Sequence, residues 1–225
     1  MTMELFLPMF LIVFFVAGVF VAIQVVQFTG RQNTLRQFTQ SLGFSPVEAT
    51  KELTLEISRL YDTPGSKNIY EMTNVSQKLM PDCEIYLFDL TETSGGEYTV
   101  KERQTVAIIS PTLRLPQFIF IPKLNIILTA ILERSLSSWG KLLDFPQFSA
   151  LNNRYMIISR KPEQAYSFIN ENLAGYLAKT KSHTLYAAGN IFTFSEFHES
   201  NTIIDPESMK FRIHLALEIF RKMQK

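Results

Sequence analysis

Three side chains in the last quarter of the chain have the types that bind zinc or iron: His183, Glu196 and His198. Gly189-Asn190 separates two β-prone runs, Leu185 to Ala188 and Ile191 to Phe197, and suits a two-residue hairpin turn. A hairpin closed there sets Leu185 opposite Phe194 and His183 opposite Glu196. His198 follows on the same face, because side chains alternate along a strand. That face continues through Leu185, Phe192 and Phe194, a core pattern. The plainer expectation is therefore a His-Glu pair at the wet edge of a core, satisfying its own polar groups.

The remaining candidates are weaker. Cys83 is the single cysteine and has no base at an identifiable spacing, so it reads as a small buried apolar residue rather than a nucleophile. Asp89 in LFDLT, and Asp144 taken with Glu84, have the chemistry of a general acid or base. Isolated carboxylates on strands and loops are more often solvated or paired. His214 falls beside Arg212 and Leu215 on a helical stretch and reads as a surface residue. The chain has no phosphate-binding loop, no GxSxG, no HExxH, no CxxC and no GxGxxG after a strand. No cofactor is expected, and an enzyme is the less favoured reading.

The elements that must position these groups can be read from periodicity and turn chemistry. Leu35, Phe38 and Leu42 recur at helical spacing before Gly43, which suits a helix stop. Pro46 opens a stretch to Tyr61 in which Leu53, Ile57, Leu60 and Tyr61 make one helical face. The alternation Leu53, Leu55, Ile57 also fits a strand, and helix is preferred. Asp62 to Ser66 is a turn. Asn68 to Thr73 is strand-like, and Glu84 to Thr91 with Tyr98 to Ser110 flank Ser94-Gly95-Gly96 as a hairpin. Pro111, Pro116 and Pro122 bracket Phe118 to Ile121, which predicts a short strand or a sheet edge. Leu124 to Trp139 predicts an amphipathic helix with Ile127, Ile131 and Leu136 together and Glu133 and Arg134 on another side. Core packing is its expected role, with rest on a bilayer as the alternative. Arg154 to Ser159 is a strand. Pro162 to Lys179 is one helix with Tyr166, Ile169, Leu173, Tyr176 and Leu177 inward. The last helix is capped by Asp205, starts at Pro206, and turns Met209, Ile213, Ala216, Leu217 and Phe220 to the core.

At the other end, Leu5 to Phe28 carries no charge and is almost wholly apolar. As a helix at 1.5 Å per residue it extends about 36 Å, enough to cross a hydrocarbon layer of about 30 Å. A cleaved signal would carry Lys or Arg before the run and a small-x-small site after it, and neither is present. A core helix of this length would have a polar face. The retained transmembrane helix is the expected reading. Arg31 and Arg36 follow the run whereas only Glu4 precedes it, which puts the large C-terminal part in the cytosol. Within the run, Gly18 and Ala22, with Ala17 and Gln24 on a neighbouring line, form a small-residue stripe through which helices associate, a route to homo-oligomers or to a partner's helix.

Composition narrows the partners. Beyond residue 30 stand 22 basic and 20 acidic residues, near balance and without a basic run, so nucleic acid is not an expected partner. Nineteen phenylalanines supply a core for one globular domain. The expected organisation is a transmembrane anchor over 1–30, a juxtamembrane helical region over 31–66, and a cytosolic α+β domain over 67–225. That domain is a mostly antiparallel sheet with helices packed on it.

The series LFDLT, a glycine hairpin, QTVAII, LPQFIFIP, DFPQFSALNNRYMI, helix, GNIFTF and terminal helix resembles a broad group of uncharacterised bacterial membrane-anchored proteins, cyanobacterial ones among them, over Cys83 to Lys225. The resemblance implies a single-pass membrane protein of the plasma membrane or a thylakoid with a cytosolic α+β domain, and carries no catalytic residue. The expected function is a tethered interaction, scaffold or assembly domain acting on a membrane protein complex. The alternative is a sensor or enzyme holding a small molecule or lipid in an apolar pocket.

Overall fold

The structure is a computed structural model that describes residues 36–62, 68–93, 100–124, 126–195 and 206–224. Among the described residues, nine strands form one sheet: β1 (Ser45–Pro46), β2 (Ile69–Leu79), β3 (Glu84–Thr93), β4 (Val100–Ile109), β5 (Leu115–Pro122), β6 (Lys141–Leu143), β7 (Tyr155–Ser159), β8 (Thr184–Gly189) and β9 (Ile191–Ser195). Their spatial order is β1-β2-β3-β4-β9-β8-β5-β7-β6, with every neighbouring pair antiparallel. The expected α+β class with a mostly antiparallel sheet is the class observed. No helix among the described residues is long and apolar enough to cross a membrane. The run Leu5 to Phe28, with Ala17, Gly18, Ala22 and Gln24, lies outside the described residues.

Among the described residues, seven α-helices cover the two faces: α1 (36–41), α2 (Lys51–Tyr61), α3 (Ile126–Leu136), α4 (Ser149–Arg154), α5 (Pro162–Phe168), α6 (Glu171–Lys179) and α7 (Pro206–Met223). Alternation along each strand sorts its side chains between two cores. On one face Leu87, Val106, Phe192, Leu185, Phe118 and Ile157 meet α4 to α7, and Phe38 and Leu42 of the α1 segment pack at its margin. On the other face Phe88, Leu90 and Ala107 lie under Leu53, Ile57, Leu60 and Tyr61 of α2. Further along that second face, Ile119, Ile121, Met156 and Ile158 lie under Trp139 with Leu132 and Leu136 of α3.

The hairpin registers follow local chemistry. β8 and β9 pair Leu185 with Phe194 and Thr184 with Ser195, as the two-residue turn predicts. Gly189 takes φ +62, the left-handed first position of a type II′ turn, where glycine is favoured. β3 and β4 pair from Glu84 opposite Ile109 to Thr93 opposite Val100. Gly43 ends α1 at φ +79, as a C-terminal stop requires.

Four expectations need correction. The proline-bracketed segment is neither short nor at an edge: β5 runs through Pro116 and Pro122 and lies between β8 and β7. The sheet accepts the prolines because Pro116 falls where the register with β8 shifts, between Leu115 and Phe118, and Pro122 is the last residue. The helix expected over 162–179 is two helices. It breaks at Ile169, and Asn170 then caps α6 by accepting a hydrogen bond from the Leu173 amide at 3.0 Å. Tyr166, expected inward, is exposed. In α3, Leu132 and Leu136 face the core whereas Ile131, 56% exposed, points outward on the line of Arg134.

Candidate functional site

Among the described residues, those singled out by chemistry do not assemble. His183 is buried, with its ring stacked on Phe194 at 4.4 Å and its Nδ1 2.7 Å from the Lys181 carbonyl oxygen. Its amide donates to the Tyr155 hydroxyl at 3.3 Å. Glu196 and His198 lie outside the described residues, and among the described residues no three His, Cys, Asp or Glu gather as metal ligands. Cys83 is buried in the larger core, and burial pushes its thiol up to about 11, with Asp82 and Glu84 adding to the effect. It is a protonated, unreactive thiol at neutral pH. His214 is exposed.

The carboxylates have separate structural duties. Asp89 is buried and its Oδ2 accepts from Asn74 Nδ2 at 2.7 Å. Asn74 has φ 52, at the point where β2 shifts register against β3, so Asp89 holds a strand irregularity. Glu84 accepts from the Tyr86 hydroxyl at 2.6 Å and from Gln77 Nε2 at 2.9 Å. Asp144 accepts from Asn152 at 2.5 Å and clasps the turn before α4. Glu84 and Asp144 belong to opposite flanks of the sheet, six strand positions apart, so they are not an acid-base pair.

A different cluster is assembled, on the α2 face. Thr50 caps α2 by accepting from the Leu53 amide at 3.1 Å, and the helical spacing from Leu53 brings Tyr61 down on the sheet at the helix end. The Tyr61 hydroxyl donates to Thr193 Oγ1 at 2.7 Å, and its ring lies 4.3 Å from that of Tyr186 and 6.0 Å from that of Tyr70. The Arg103 guanidinium stands 4.9 Å over the Tyr61 ring, is hydrogen-bonded to Tyr186, and pairs with Glu92. Glu92 also accepts from Asn68 Nδ2 at 2.9 Å. Arg160 closes the neighbouring end. Its guanidinium stacks 4.7 Å over Trp139, donates to the Trp139 carbonyl at 3.0 Å, and donates to the carbonyl of Asp62, joining the end of α2 to the end of α3.

The electrostatics are those of a saturated network. Burial pushes the Tyr61 phenol up to about 12, against the opposing pull of Arg103 and its hydrogen bonds to Thr193 and Thr105. Tyr70 and Tyr186 are raised for the same first reason. These phenols are protonated donors at neutral pH, and the Arg103 charge is met by Glu92. Such a network fixes the placement of α2 on the sheet and offers no base. Two buried donors on the same face, Trp139 Nε1 and Thr184 Oγ1, meet no hydrogen-bond partner among the described residues.

No family model, curated protein or solved structure matches this chain. On the far face, an open groove of about 580 Å³ lies between α5 and the start of β5, lined by Arg114, Pro116, Glu163 and Phe168 among others. The Arg114 guanidinium is already tied to the carbonyls of Pro111 and Leu113, at 2.6 and 2.7 Å.

The tyrosine-arginine cluster escaped the sequence reading because its members are far apart in the chain. The usable signal was Arg103 in strand alternation with Thr105, Ala107 and Ile109, a charge on a face that otherwise buries small and apolar groups.

Proposed function

We propose that this chain is a membrane-tethered interaction domain, held at the cytosolic face of a bilayer by Leu5 to Phe28 and serving as a scaffold or assembly surface for a membrane protein complex. The observation that carries the reading is the docking of α1. Phe38 and Leu42 pack against the core, Thr39 is buried with its hydroxyl 3.4 Å from that of Ser76, and Lys78 Nζ donates to the Leu42 carbonyl at 2.8 Å. The folded body begins by residue 36. Only residues 29–35 separate that body from Phe28, and seven residues reach at most about 25 Å. Tethering at so short a range holds the domain near membrane partners at high effective concentration. The stripe of Ala17, Gly18, Ala22 and Gln24 adds a contact for a neighbouring helix or a second copy.

The test is alkaline carbonate extraction of native membranes together with crosslinking and partner identification. The expected result is a chain retained in the pellet and crosslinked to a defined set of membrane proteins. Release into the supernatant, or a mature terminus near Arg31, would refute tethering.

The second reading, a domain that holds a small molecule, is favoured by the buried Trp139 Nε1 and Thr184 Oγ1 on one sheet face. Native mass spectrometry of the protein released from detergent would show a retained mass under that reading, and the bare chain under the first.

A further inference from the structure

α3 is apolar on two sides. Leu132 and Leu136 pack inward over Ile119, Ile121, Met156 and Ile158. On the outside Leu128 is 43% and Ile131 56% exposed. Leu142 on the flanking strand β6, also exposed, pairs with Ile158 and therefore belongs to the same sheet face. Two exposed cations, Lys123 before the helix and Arg134 in its last turn, flank this face against the single acid of α3, Glu133. Exposed aliphatic side chains flanked by lysine and arginine suit a helix lying in the interfacial layer of an anionic bilayer.

We propose that the outer face of α3 is a second membrane contact, with Leu128 and Ile131 seated among lipid headgroups and Lys123 and Arg134 meeting their phosphates. The inference rests on the tethered reading, because the anchor supplies the bilayer. The geometry permits both contacts. α1 and α3 lie on opposite sheet faces, each roughly 10 Å from the strands it covers. The seven residues before α1 reach about 25 Å, enough to pass from the bilayer surface across those layers. In this pose the α2 face of the sheet is turned to the membrane and the α4 to α7 face to the cytosol.

The test uses full-length protein in vesicles with phosphatidylcholine in excess over phosphatidylglycerol. A bimane fluorophore is placed at Ile131→Cys, and separately at the exposed control site Gln164→Cys on α5. Cys83 is buried and stays unlabelled. The expected result is lipid-borne nitroxide quenching several-fold stronger at position 131 than at 164, with 131 shielded from aqueous iodide. If both positions respond alike while carbonate leaves the chain in the pellet, the α3 contact is overturned and the anchor stands. Shielding of 131 from both quenchers would put a second copy on this face and also overturn the contact. A chain that carbonate washes off loses anchor and contact together.

Discussion

Tyr61→Phe removes one oxygen from the buried cluster and has a distinctive pH signature. The lost hydroxyl bonds to Thr193 at 2.7 Å and to Thr105, and both threonines are buried. Stranding two such groups costs on the order of 1–3 kcal/mol near neutrality. The wild-type phenol carries a second effect of opposite consequence. Its folded value is about 12 against an ordinary 10.0, so folding favours the neutral form. That contribution is fully present below pH 10 and is lost as pH rises through about 12. One unit above the ordinary value the loss is already roughly 1.4 kcal/mol, and it approaches about 3 kcal/mol above the folded value. Phenylalanine has no such term. The variant should therefore be the less stable protein at pH 8, and the gap should close or reverse by pH 11. Urea titrations of full-length protein in mild detergent, read by the single tryptophan Trp139, measure both gaps. An equal destabilisation at the two pH values would refute the assignment of the alkaline loss to Tyr61, and no loss at pH 8 would refute the hydrogen-bond account.

Other perturbations separate further parts of the account. Gly140→Ala would set a Cβ 2.8 Å from the Ser159 carbonyl oxygen, so the turn between α3 and β6 must move; a stability loss of about 1–3 kcal/mol is expected in the same titration. Arg160→Ala cuts the link from Asp62 to Trp139 and uncovers the indole, and should shift Trp139 emission to the red with a loss of about 2 kcal/mol. Cys83 should resist aromatic disulfide reagents at pH 8 in the native protein and react fully in denaturant; reaction at a free-thiol rate without unfolding would contradict its burial.

What the sequence disclosed and what it hid divide along the range of the interactions. The β8–β9 pairing was legible because Gly189-Asn190 sets the register within the turn itself, and the buried face of α2 because its spacing is local. The placement of β5 was hidden. Its partners come from β7 and from β8, whose residues occur far later in the chain, and nothing within LPQFIFIP states that it lies in the sheet interior. The break between α5 and α6 was masked by an apolar pattern that runs through it, although Asn170 is a capping residue that could have marked it. Of the proposed metal cluster, only His183 can be placed, and its stacking on Phe194 follows from the same alternation that suggested the site. The Tyr61 and Arg103 contact has no local signature, since it joins a helix end to a strand three elements further on.

The central position of β9 and β8 sets the order in which this polypeptide can mature. β4 pairs with β9 and β5 pairs with β8, so the two flanks of the sheet meet only through a hairpin made late in translation. While the ribosome is still adding Thr184 to Ser195, β4 and β5 each have one raw border, and such borders invite pairing with the wrong chain. A stop codon between Ser159 and Thr184 would therefore leave two unjoined half-sheets rather than a smaller version of the same body.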